Sequence, residues 1–155
     1  MLVGMCVAIE CEGIEGKTGV AEPTPPGLGR LPVRVKGYIK WMRWGSIDVA
    51  WDESLMQRPG YGPLRFPDGG LVALEHLRTH KWAIYDPKPV RIVASRFEML
   101  YIRGNRIAFP VPAGAFIQGG VARIDDWKRL YVVRVPAPPE ADAELLDPHL
   151  WPRIV

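Results

Sequence analysis

Cysteine is scarce in this chain. Two among 155 residues, Cys6 and Cys11, are too few for a disulfide framework. No basic–apolar–cleavage-site pattern opens the sequence, so the expected compartment is the cytoplasm, where each cysteine is a thiol available for chemistry. No uninterrupted apolar run approaches the ~18 residues of a membrane span. No glycine-rich loop opens a helix, as a phosphate cradle would need, and there is no internal repeat. Histidine is rare too. His76 and His80 stand four apart but lack the glutamate of H-E-x-x-H, and they read as surface histidines rather than zinc ligands. Neither a metal nor an organic cofactor is expected.

Hydrophobic residues make up 48% of the chain and charged residues 24%, which suits one globular domain with its own core. Glycine and proline number 16 each, enough to punctuate many short elements and to exclude a helical bundle. Residues 1–10 read as a short apolar strand, followed by a loop to about Leu28. Leu31, Val33 and Val35 alternate through residues 31–44, as in a half-buried strand. Leu71, Leu74 and Leu77 predict a helix from about Leu71 to Trp82. From Pro89 the pattern turns β: VRIVAS, FEMLYIR, a Gly104–Asn105 turn, RIAFPVP, AFIQGGVARI and LYVVRV, with a short acidic helix near 140–146. The fold class predicted is α+β: a single domain over residues 1–155, dominated by antiparallel strands in a curved sheet or open barrel, with one or two short helices.

Acidic residues are missing from one informative stretch. Between Glu22 and Asp48 there are five cations (Arg30, Arg34, Lys36, Lys40 and Arg43) and no carboxylate, with Tyr38, Trp41 and Trp44 interleaved. Cations that meet phosphates and rings that stack on bases suit single-stranded nucleic acid. The same pattern also describes a solvated edge strand whose aromatics face the core. Arginine supplies 14 of the 20 basic residues, and its planar fork grips phosphate bidentately.

Three separated residues, Cys6, Glu98 and His149, could supply a thiol, a carboxylate and an imidazole for nucleophilic attack and proton transfer. Their contexts resemble the SOS-response-associated peptidase (SRAP) family, whose members shield abasic sites in single-stranded DNA. Met5-Cys6 is similar to the family's opening Met-Cys. Val20-Ala21-Glu22-Pro23-Thr24 resembles its Val-Ala-Pro-Thr segment, and Pro32-Val33-Arg34-Val35 a following strand. The Arg-Trp-Gly hallmark stands as Arg43-Trp44-Gly45, with Trp51 downstream. Ser95-Arg96-Phe97-Glu98-Met99 echoes Gly-Phe-Tyr-Glu-Trp, and His149-Leu150-Trp151-Pro152-Arg153-Ile154-Val155 echoes the closing His-x-Arg-Met-Pro-Val-Ile-Leu. The order is collinear from Met5 to Val155. The chain departs at Val7-Ala8, where the family has Gly-Arg, at Leu71–Glu75, which lacks the family's Asn and Arg, and at Met99, where the family has a tryptophan.

The resemblance implies a thiazolidine crosslink between an N-terminal Cys6 and an abasic aldehyde, with Glu98 and His149 moving protons. Arg34, Lys36 and Arg43 would hold phosphates and Trp44 would stack on a base. A free α-amine on Cys6 requires residues 1–5 to be a removable leader, lost by self-processing after Met5 or by translation from Met5 followed by removal of that methionine. The implied partner is single-stranded DNA with abasic sites, bound by a monomer, with no membrane. Two alternatives stay open: a degenerate member that binds without covalent chemistry, and a small β-rich structural or interaction protein.

Overall fold

In the computed structural model, the described residues are 7–11, 29–46, 66–67, 69–142 and 144–155; for His80, Lys81 and Asp142 this means the backbone only. Among these residues, ten strands and three single-turn helices follow in order: β1 Val7–Glu10, β2 Arg30–Val35, β3 Tyr38–Arg43, β4 Leu71–Ala73, α1 Leu74–Leu77, α2 His80–Ala83, β5 Lys88–Ile92, β6 Arg96–Leu100, β7 Arg106–Pro110, β8 Ile117–Ile124, β9 Trp127–Val135, α3 Pro139–Asp142 and β10 Trp151–Pro152. The strands form two sheets, one of three strands in the order β1-β6-β7 and one of seven in the order β10-β9-β8-β5-β2-β3, with β4 added parallel to β9. Every other strand pair is antiparallel. The fold is α+β and strand-dominated, as expected.

Two expectations need correction. Residues 31–44 are two strands, not one, because Lys36 and Gly37 form a two-residue turn with φ of 44° and 89°. Positive φ at both positions matches the twist of a tight hairpin. The helix expected from Leu71 to Trp82 is also broken. Parallel pairing with β9 draws Leu71–Ala73 into a strand, and Thr79 interrupts the remainder in an extended conformation. Its hydroxyl donates to the His76 carbonyl at 2.9 Å, a local bond that competes with helical pairing. His76 and His80 therefore lie on different helical turns.

Strand alternation gives the large sheet two distinct faces. One face presents Leu31, Val33, Ile92, Ile117, Val121, Leu130 and Val132, which share a core with Val7, Ile9, Phe97 and Met99 of the small sheet. On the other face, among the described residues, a second core lies over β8 and β9, where Ala122, Ile124, Tyr131 and Val133 meet Phe66, Val72 and Trp82. Tyr131 is fully buried there, donating its hydroxyl to the Pro67 carbonyl at 2.6 Å, with Trp82 edge-on at 5.0 Å.

The large sheet curls without closing into a barrel. Just beyond β3, Trp44 bridges to Leu130 on β9, and the Gly45 amide donates to the Leu130 carbonyl at 2.7 Å. Gly45 has φ +67°, and a Cβ there would come within 2.0 Å of the Gly69 carbonyl oxygen, so only glycine permits this approach. The curl brings the edge strand β3 against the start of β9. Among the described residues no helix is long and apolar enough to cross a membrane.

Candidate nucleic-acid interface

Where β3 meets β9 a groove of about 220 Å³ opens, lined by Arg30, Lys40, Trp41, Met42, Arg43, Trp127, Lys128 and Arg129. Five of these eight residues are cations and two are tryptophans. Among the described residues no carboxylate lines it; Asp125 and Asp126, in the adjoining β8–β9 turn, do not contribute. Arg30 and Arg43 are exposed and directly opposite each other on β2 and β3. Trp41 is partly buried, one side held against the first core. The Arg129 guanidinium lies 5.0 Å from the Phe66 ring and 5.7 Å from Trp127, and it donates to the Lys128 carbonyl at 2.9 Å. Such packing orients a guanidinium.

The groove draws on two stretches more than eighty residues apart. Arg43 was expected to bind DNA and does line it. Arg34 lies on the same strand as Arg30 but outside the groove, and Lys36 sits in the hairpin turn beyond it. Trp44 is the correction. It is 0% exposed, and its indole N–H donates to the Gly70 carbonyl at 2.8 Å. A ring held inside the core cannot stack on a base, so Arg43-Trp44-Gly45 includes a packing element: the tryptophan anchors the curl and the glycine permits it. The groove residues missed from sequence, Trp127-Lys128-Arg129, repeat the aromatic–basic interleaving of β3 in three consecutive positions.

Cys6 lies outside the described residues. The strand that starts at the next position, Val7, pairs with β6 so that Ala8 stands opposite Glu98. Glu98 is half-buried and shares its face of the small sheet with Glu10 and Arg96. Those two form an ion pair at 3.1 Å, the carboxylate side chain 8% exposed and the guanidinium 42%. Ser95 holds the Glu10 carbonyl from both its amide and its hydroxyl, each at 2.9 Å. Phe97 points to the opposite face, where it stacks with Phe109 and meets Trp151 edge-on at 4.9 Å. His149 is exposed, two residues before Trp151. Its amide donates to Asp147 Oδ1 at 3.0 Å and its carbonyl accepts from Arg134 at 3.2 Å. No hydrogen bond or ion pair joins Glu98 to His149 among the described residues. Among those residues there is also no group of three or more side chains able to hold a metal ion.

No protein-family model, curated protein or solved structure matches the chain.

Proposed function

We propose that this protein binds single-stranded DNA in the groove between β3 and β9. The observation that carries the reading is the groove's lining: five cations and two indoles, with no carboxylate among the described residues. Cations follow a phosphate backbone, and indole faces accept unpaired bases, which a duplex keeps stacked away. The test is binding to a single strand and to the matching duplex across a salt series. The single strand is expected to bind more tightly. Arg43→Ala should weaken that binding and lower the salt slope by about 0.7, the value for one phosphate contact on a single strand. An unchanged slope would remove Arg43 from the interface.

A covalent step is a second reading, favoured by the β1–β6 pairing, which sets the chain immediately after Cys6 beside the strand of Glu98. The α-amine of Cys6, once residues 1–5 are removed, would add to the aldehyde of an opened abasic sugar and lose water to give an imine. The thiol would then add to the imine carbon, its proton passing to nitrogen, to close a thiazolidine. Glu98 and His149 are the proposed proton carriers. Removal of the leader would be hydrolysis of the Met5–Cys6 peptide, either in the full chain or, after initiation at Met5, as excision of the initiator methionine. A chain beginning at Cys6 should form a borohydride-independent crosslink to an abasic single strand, and Cys6→Ala should abolish it. Strand binding without any crosslink would leave a non-covalent binding module.

A further inference from the structure

Arg34 and Arg91 stand directly opposite each other on β2 and β5, and both are exposed. Like charges in that position repel. Among the described residues neither is joined to a carboxylate, the ion pairs there being Arg96–Glu10 and Arg103–Glu144. Both guanidiniums lie instead over one ring, that of Phe116, at 5.7 and 5.5 Å from its centre. A phenyl face attracts each cation through its quadrupole but leaves both charges in place. Arg91 is opposite Gln118 on β8, and Gln118 accepts a hydrogen bond from Arg153. Three arginines are thus gathered around β2, β5 and β8, with an aromatic floor beneath two of them. Two guanidinium forks held side by side match the oxygens of a phosphate.

The position of this cluster relates it to the groove. Arg30, which lines the groove, and Arg34 point to the same face of β2, four residues apart, or about 13 Å along the strand. We propose that Arg34 and Arg91, with Phe116 beneath them and Arg153 alongside, form a second phosphate site that holds the same single strand further along its backbone. This rests on the single-strand reading above and extends it. It makes affinity depend on strand length, because a short strand in the groove does not reach the second site.

The experiment uses the full chain and oligothymidylates of about 2 and about 16 nucleotides, followed by fluorescence anisotropy across a salt series. Arg91→Gln should bind the long strand roughly tenfold more weakly, with the salt slope reduced by about 0.7, and should bind the short strand as before. Equal loss at both lengths, or no loss on the long strand, would overturn the second site while leaving the groove reading intact. A measurement without DNA separates the two ideas and covers a variant that fails to fold. Inorganic phosphate titrated into the ¹⁵N-labelled unsubstituted protein should shift the Arg34 and Arg91 side-chain N–H resonances together. If neither moves, the phosphate site fails. If both move but no strand of any length binds, the site takes free phosphate and the single-strand reading fails.

Discussion

One face of the large sheet is treated in two ways. Over β8 and β9 it is roofed by α1, α2 and Phe66, and its side chains are alanine, isoleucine, tyrosine and valine. Over β2, β3 and β5 the same face carries Arg30, Arg34, Arg43 and Arg91, all exposed. The backbone ladder is continuous between the halves. The cover differs: Gly120 allows Leu77 of α1 to lie on β8, since a Cβ there would come within 2.9 Å of the Leu77 side chain. Beyond β8 the arginines face water. Between these cations the face carries Pro32, Ile39 and Trp41, and the proposed strand would meet the arginines and the Trp41 ring rather than Pro32 and Ile39.

The strongest way to break the comparison is to damage the roof. Trp82→Ala removes a buried indole that packs edge-on to Tyr131 at 5.0 Å and to Tyr85 at 5.4 Å. Truncation of a buried tryptophan costs about 3–5 kcal/mol, a large part of a small domain's stability. The denaturant midpoint should fall accordingly. Protein that remains folded at low temperature should bind a single strand as before, because Trp82 does not line the groove. Loss of binding with no loss of stability would show that the two halves are not separate in role.

The sequence disclosed the halves unequally, for physical reasons. Alternation at Leu31, Val33 and Val35 reports one buried face wherever the strand lies, and the Gly104–Asn105 turn is local chemistry; both were legible. The Lys36–Gly37 turn was not, because lysine seldom adopts positive φ and carries no turn signal of its own. The leucine spacing from Leu71 points to a helix because spacing reports only near neighbours; a parallel partner about sixty residues away draws the segment into the sheet. The basic run to Arg43 announced half of the groove. The other half, Trp127 to Arg129, reaches it through the curl at Trp44 and Leu130, which no local pattern encodes. Trp44 shows the limit of composition: an indole among cations looks like a stacking platform until its burial is known. The thiol, carboxylate and imidazole were singled out by context, and the placement of Cys6 lies outside the described residues.

The open half is probed by Trp41→Ala. Trp41 packs against the first core on one side and lines the groove on the other. A base stacked on an aromatic ring contributes about 1–3 kcal/mol, so affinity for a single strand should fall by roughly that amount. The salt slope should stay unchanged, since no phosphate contact is removed. Trp41→Phe should recover part of the loss. A reduced slope in Trp41→Ala would instead mean that the ring positions neighbouring cations rather than stacking.

The smallest expected effect is a pH response confined to the roofed half. Tyr85 follows α2 and packs against the second core, and burial raises its phenol pKa above the usual 10.0. The folded protein therefore keeps this proton at a pH where the unfolded chain has begun to lose it. The resulting penalty is absent below about pH 10 and grows as the pH rises above it, because the unfolded state then binds fewer protons. Stability should decline in that window, and Tyr85→Phe should decline less between about pH 9 and pH 11. Thermal melts of the two proteins across that range give the comparison. Parallel curves would mean that α2 leaves Tyr85 as well hydrated as in the unfolded chain, and the roof would then end at Trp82.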